Sequence, residues 1–593
     1  MITQKQATGY EFGPYRLLPL ERLLVRDGES IPLTPKVFET LLVFVRNRGK
    51  LLSKNDLMKM IWPETTVEEG NLTQNIFMLR KILGENPRDH QYLVTVPLQG
   101  YCFVANVREV SPNGSAIAAA SDDAREQTKI PRMICAVLPF TLLNLPNDEH
   151  FRGIGMADTL ITKLSGLKKL VVRPTSAVLR YVDAKDDVLA AGKDLQVGTL
   201  IDGTIQHTGD RVRVNVQMID VNNGATLWAA GFDEDYSNIF AVQDCIATQV
   251  VRALQIKLNS DERQQLAKGQ TDNIEAYTLY IKGRYFWDSR TEQGLLKSIN
   301  YAREAIAADE NNALAQVALA DSYNFLGEYL YLAPERAFPT ARTATMKALE
   351  LDPALPEAYA SAAEVEFFYD WNWAAAESNY KLAIEMKPNY ASARHWYAWW
   401  LMAAGRFDDA LENIMEAQST DPGSLTLNTV AGLPFYYKRE YERAINQFRT
   451  TFDMDPRFAQ ARYYLGSALV HAGRYDEAIS QFDKVKPSEY TQQTNALLGY
   501  AYAASGRVEQ AKARLNELKE LSKRRYVSPY LEAIVYAGLG EKERALAKLE
   551  KAFREKACWL VFLNIDPFLD SLRNESRFVS LVRRLGLQAE SES

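Results

Sequence analysis

The chain has 593 residues, too many for one hydrophobic core, and at ~150 residues per domain it is expected to divide into about four units. Its 47% apolar and 24% charged residues exclude a largely disordered protein, and a net charge of −6 excludes wholesale coating of nucleic acid while leaving room for one small DNA-reading domain. Four scattered cysteines (Cys102, Cys135, Cys245, Cys558) argue against a disulfide framework or a zinc site. The opening MITQKQATGYEFG has no basic-then-apolar signal pattern, and the most apolar early run, Ile134 to Leu145, is short and broken by Pro139. A cytoplasmic protein that does not enter the membrane is expected.

Residues 11–34 alternate apolar and polar in short runs (EFGPYRL, RLLV, IPLT) and are expected to form small strands. Thr34-Pro35 then opens a helix with an apolar stripe of Val37, Phe38, Leu41, Leu42 and Val45, stopped by Gly49. Ser53-x-x-Asp56 has the form of a capping box, with aspartate for the usual glutamate, and starts a second helix through Trp62. A third helix is expected from Glu69 to Leu83, its inner face made by Leu72, Ile76, Leu79 and Leu83. Tyr92–Val96 and Tyr101–Val104 form a hairpin around Pro97–Gly100. Three helices closed by a hairpin make a winged helix-turn-helix over residues 1–108, which up to residue 105 hold thirteen Lys or Arg against eleven Asp or Glu.

The stretches LTPKVFETLLVFVRNRGKLLSKNDLMKMIWP, NLTQNIFMLRKILG and YLVTVPLQGYCF closely resemble the OmpR/PhoB-type transcription-regulator domain, over about residues 10–105. The resemblance implies that the third helix enters the major groove of double-stranded DNA while the hairpin wing touches the adjacent minor groove and backbone. The candidate contacts are then Asn71, Thr73, Gln74, Phe77, Met78, Arg80 and Lys81 on the helix, with Thr95 and Gln99 on the wing. Asn and Gln amides can pair bidentately with adenine, and Arg80 and Lys81 can meet phosphates. A solvated helix face is the competing explanation for each polar position. Gln99 and Cys102 stand where such wings usually carry basic residues, so either affinity is modest or two copies bind together.

Ser111 to Lys129 lacks periodicity and is expected to be a linker, within 109–130. Residues 131–258 then alternate strands and helices, implying a mixed sheet flanked by helices. AVLPF, FRGIGMADTLITKLS, RPTS, GTLIDGTIQ, RVRVNVQMID, LWAAGFD and IFAVQD make this segment resemble the TolB amino-terminal-like (FlgO-like) domain, which implies a sensing or relay role. Gly153-x-Gly155 has no third glycine or following lysine and is read as a helix entry, not a phosphate loop. Asp158, Asp220, Asp233, Asp235 and Asp244 are read as caps and turn residues in preference to a cation site.

A second polar stretch, Asn259 to Asn273, is expected to separate the middle segment from residues 272–588. There Ala410, Ala444, Ala478, Ala511 and Ala545 follow one another at 34, 34, 33 and 34 residues, with Gly405, Gly473, Gly506 and Gly540 in the same register. This period resembles the tetratricopeptide repeat, and Gly432, Gly466, Gly499, Phe448 and Phe482 also fit its small and aromatic positions. About eight repeats are expected, stacked as an extended superhelix because no single helix pair buries its own apolar face. Trp399, Tyr436, Tyr437, Tyr463 and Tyr500 fall on its concave side and are candidate contacts for a protein or peptide partner, packing between repeats being the alternative.

No nucleophile-elbow, zinc-protease, Walker or kinase motif occurs, and the five histidines are not at metal-ligand spacing, so no enzyme and no cofactor are expected. The combination resembles CadC/HilA-like regulators, here without the transmembrane helix that membrane-spanning members place after the winged helix. It implies a sequence-specific DNA-binding transcription regulator whose other domains receive a signal or bind protein, with self-association as a further expectation. The alternative is a repeat scaffold using its winged helix to bind protein.

Overall fold

The computed structural model describes residues 9–587 apart from 20–21, 27–28, 32, 49–50, 63–68, 84–91, 97–99, 104–106, 111–132, 144–150, 168, 183–186, 209, 257, 260–261, 263–265, 267–270, 272 and 486–490. The chain forms two compact units, Met1–Thr128 and Lys129–Ser593.

In the first unit, strands β1 (Gly9–Phe12), β2 (Tyr15–Leu18), β3 (Leu23–Arg26) and β4 (Glu29–Ile31) form an antiparallel meander. Gly13 turns its first hairpin at φ 52°, and a Cβ there would come within 2.6 Å of the Tyr92 hydroxyl, so this turn needs glycine twice over. Helices α1 (Pro35–Arg46), α2 (Lys54–Ile61) and α3 (Glu69–Ile82) follow, with β5 (Leu51–Leu52) between the first two. Strands β6 (Leu93–Val96) and β7 (Gly100–Phe103) make the wing and pair with β5 in the order β5-β7-β6. The expected stripe of α1 is buried except for Leu42, which is half-buried; Phe44, one turn past Leu41, points inward with it. Phe12, Tyr15, Tyr92 and Phe103 close the core in stacked and edge-to-face pairs. Strand β8 (Arg108–Val110) returns to pair with β1, Gly9 opposite Val110, so this fold runs two residues into the span expected as linker. The rest of the expected linker lies outside the described residues.

The second unit begins with a mixed sheet: β9 (Met133–Val137), β10 (Thr141–Leu143), β11 (Leu170–Val172), β12 (Thr199–Thr208), β13 (Arg211–Asp220) and β14 (Thr226–Asp235). Its order is β11-β9-β12-β13-β14, parallel through the first three and antiparallel thereafter, with β10 parallel to the second half of β12. Helices α4 (Phe151–Ser165), α5 (Val188–Asp194) and α6 (Ile239–Ala253) accompany it. A Cβ on Gly153 would come within 2.0 Å of the Phe140 carbonyl, and one on Gly155 within 3.0 Å of the Tyr277 ring. These glycines therefore serve close packing.

From Ile274 to Arg554 the described residues form eight helix pairs. Cβ atoms on Gly432 and Gly466 would meet the rings of Phe448 and Phe482 at 2.4 and 2.5 Å, the small-on-aromatic crossing the 34-residue period implies. Gly405, Gly473, Gly506 and Gly540 turn between helices at φ 74–79°, but in other pairs Arg290, Leu330, Trp371 and Arg439 hold this left-handed position. The repeats end at Arg554, not near 588: short 3-10 turns, Cys558–Phe562 and Pro567–Leu572, and a helix, Ser576–Arg584, follow.

Two expectations are corrected here. The middle segment and the repeats are one packed unit, because Arg173 of the RPTS stretch donates to the Ser419 and Thr420 carbonyls at 2.7 and 2.8 Å and Asn389 to the Leu170 carbonyl at 2.8 Å. Nor is the array an open, extended one. Gln492 donates to the Leu330 carbonyl at 2.8 Å and Trp559 to the Glu328 carbonyl at 3.0 Å, so late elements close onto the second repeat.

Candidate nucleic-acid interface

Helix α3 owes its position to both its neighbours. Ser53 caps α2 by accepting from the Asp56 amide at 3.1 Å, which sets the helix that α3 packs against. Leu72, Ile76, Leu79 and Leu83 of the α3 turns are each at most 4% exposed. Asn75, beside that stripe, donates across to the buried Thr40 hydroxyl of α1 at 3.1 Å. Sequence reasoning passed over Asn75; the signal available was a polar residue next to a core position.

Away from the core stripe, Met78 and Lys81 are exposed. Asn71, Thr73, Gln74 and Phe77 are described in backbone only, Gln74 falling one turn before Met78 and two before Lys81 along the helix. Arg80 does not stand with them. Its Nη2 donates to the Leu93 carbonyl at 3.1 Å, tying α3 to the first wing strand. Its side chain is half-buried because Arg80 follows the core residue Leu79 and its reach ends at the hairpin. Thr95 is placed on β6 opposite Tyr101, backbone only, and Gln99 lies outside the described residues.

The five aromatic residues expected in the repeat groove do converge. Trp399, Tyr436, Tyr437 and Tyr463 border one residual cavity of about 60 Å³, while Tyr500 does not line it but packs on Phe568, which does. They do not face open solvent: these four are at most 9% exposed. The occupant is the chain's own C-terminal segment, with Phe562 at 5.5 Å from the Trp399 ring and stacked on Tyr437 at 6.1 Å, and Phe568 at 4.8 Å from Tyr500. Tyr530 anchors this segment by donating to Asp566 at 2.6 Å. Burial among these rings lowers the His471 pKa to about 3, and likewise that of His395, which stays neutral to accept from Trp399 at 3.1 Å.

The aspartates of the middle domain are paired locally. Asp233 takes Arg211 and Arg213 at 2.6 Å each, Asp244 takes Lys163 at 2.7 Å, and Thr175 donates to Asp158 at 2.6 Å. Among the described residues no group of His, Cys, Asp and Glu is placed to hold a metal ion, and no helix is long and apolar enough to cross a membrane.

Comparison with known proteins assigns the same three parts. Residues 28–103 match the family described as transcriptional regulatory protein, C terminal; residues 131–249 match the second domain of HilA/YgeH-like transcriptional regulators; and residues 430–490 match the tetratricopeptide repeat. The transcriptional regulator HilA of Salmonella typhi is 23% identical over 566 residues, covering 94% of this chain and 97% of its own length. The transcriptional activator CadC of Escherichia coli (strain K12) is 32% identical over 96 residues, 16% of this chain and 19% of its own. A putative adenylate cyclase 3 of Rhizobium meliloti (strain 1021) is 32% identical over 150 residues, 25% of each chain. With a winged helix whose third helix keeps one side exposed, a HilA-like second domain and a closed run of helix pairs, the protein is a HilA/CadC-like DNA-binding transcriptional regulator with a tetratricopeptide region.

Proposed function

We propose that α3 reads sequence in the major groove of double-stranded DNA through Gln74, Met78 and Lys81, with Asn71, Thr73 and Phe77 at its flanks, and that Thr95 and Gln99 follow the adjacent backbone. The observation that carries this reading is the two-sidedness of α3, with Leu72, Ile76 and Leu79 in the core and Met78 and Lys81 exposed. An amide such as that of Gln74 can discriminate adenine, whereas Lys81 supplies sequence-independent attraction to phosphate. Arg80 serves by fixing the wing against the helix. The test is binding of the intact protein to genomic duplexes. Gln74→Ala is expected to change sequence preference, and Lys81→Ala to weaken all duplexes alike; if neither variant alters binding to any enriched duplex, α3 is not the reading element.

The second unit is read as the signal-receiving part, with its sheet domain TolB amino-terminal-like in its parallel-then-antiparallel order. A protein or peptide partner would meet Trp399, Tyr436, Tyr437, Tyr463 and Tyr500 only after residues 558–572 withdraw. Two copies of the protein on neighbouring half-sites would compensate for a wing with few cations. In this reading the protein works in the cytoplasm, catalyses no reaction and uses no cofactor.

A further inference from the structure

A second cavity, of about 200 Å³, lies in the seam between the sheet domain and the first four helix pairs. It is somewhat larger than an apolar cavity known to admit benzene, ~150 Å³, and unlike that one it is lined by groups of both charges. Asp158 and Ile154 of α4 contribute from one side, and Tyr280, Arg284, Arg290, Asp321 and Tyr390 from the other.

Two of these groups keep hydrogen-bonding capacity at the cavity. Asp321 is 2% exposed; its Oδ2 takes Arg284 at 2.9 Å, while its Oδ1 is buried with no hydrogen-bond partner among the described residues, although the Ser361 hydroxyl lies near the carboxyl. An unpartnered buried carboxylate oxygen is costly unless something donates to it. Arg290 is the opposite case. Its guanidinium carbon sits in the corner between the edge-to-face rings of Trp287 and Phe325, 3.6 and 4.0 Å from their centroids, and donates no side-chain hydrogen bond among the described residues. Ring contacts satisfy none of its N–H groups, which can pair with a carboxylate. Arg290 also occupies its turn at φ 54°, where glycine would be unstrained, so the arginine is held there against a conformational cost. The hydroxyls of Tyr280 and Tyr390 border the same space without a hydrogen bond among the described residues, and Leu314 and Val317 supply apolar wall.

We propose that this seam binds a small zwitterion of amino-acid size, its ammonium taken by Asp321 and Asp158 and its carboxylate by Arg290. Bound there, the ligand bridges the sheet domain and the repeats, which makes it a means of changing how the two pack. The proposal deepens the signal-receiving reading of the second unit, but its test needs no DNA and fails independently of that reading.

The experiment is thermal unfolding of the intact protein with each common L-amino acid at millimolar concentration, repeated for any that acts with the corresponding amine lacking the carboxylate and the acid lacking the ammonium. At least one amino acid is expected to raise the midpoint by about 2–5 °C, and neither analogue to do so. Arg290→Gly, which suits the backbone of the turn, and Asp321→Asn should each abolish the shift, the first serving if the second does not fold. No shift with any amino acid, an equal shift with either analogue, or a shift that survives Arg290→Gly in a folded protein overturns the proposal.

Discussion

Arg439 grips Asp570, 131 residues further along the chain, through Nη2–Oδ1 at 2.6 Å and Nε–Oδ2 at 3.3 Å, while its Nη1 donates to the Ile565 carbonyl at 2.8 Å. It does so from left-handed backbone, φ 65°, at the turn where other repeats carry glycine. That conformation costs about 1–2 kcal/mol for a residue with a Cβ. The contacts it makes there hold the C-terminal segment in the groove.

Arg439→Gly and Arg439→Ala should both loosen residues 558–572, seen as faster proteolytic cleavage in that segment. Only alanine keeps the strained turn. Urea unfolding should therefore find the alanine variant about 1 kcal/mol less stable than the glycine variant. Equal stabilities would mean that the turn relaxes when the clamp is lost.

Phe562 is 6% exposed and packed against Phe367, Phe368, Trp399 and Tyr437. Phe562→Ala should cost about 3–5 kcal/mol in unfolding free energy, as expected for an aromatic residue removed from a core. A residue lying loosely over an open groove would cost far less, so a loss under ~1 kcal/mol would contradict the closed array.

Arg80 and Lys81 are adjacent in sequence and should behave oppositely. Arg80→Ala removes the tie to Leu93 and should lower the melting midpoint of the winged helix, by about 1–2 kcal/mol of stability. Lys81→Ala should leave that midpoint unchanged but reduce the log–log salt slope of DNA binding by about 0.9. Exchanged phenotypes would place Arg80 on the DNA and Lys81 in the fold.

The His471 pKa in the folded protein lies near 3, below its ordinary 6.5. As pH falls, the unfolded chain takes up this proton first, so the stabilising contribution is full above pH 6.5 and is lost progressively down to about pH 3. At pH 5 the loss is about 2 kcal/mol. Asp421, pushed up to about 6 by burial, acts in the opposite direction between its ordinary value of 3.8 and 6. The two are separated by comparing wild type with His471→Phe, whose unfolding free energy should fall less steeply between pH 7 and 5. Identical slopes would show that His471 protonates within the folded protein.

What the sequence determined by itself was local and periodic. The Ser53–Asp56 cap, the inner stripe of α3 and the 34-residue spacing of small residues are each set by neighbours within a few turns, where helix geometry alone decides which positions meet. The same spacing brought Trp399, Tyr436, Tyr437 and Tyr463 to one cavity, since they fall one or two turns apart on one face of the first helices of their repeats, and stacking puts those faces on one side. Contacts across long separations were decided only by tertiary structure. No pattern near residue 399 encodes the arrival of Phe562, and none near Arg439 encodes Asp570, because closing the array depends on the rotation accumulated over eight helix pairs. Arg80 shows the limit at short range: helical spacing put it beside the outward residues, but only the position of Leu93 on the folded hairpin decided that its guanidinium turns inward.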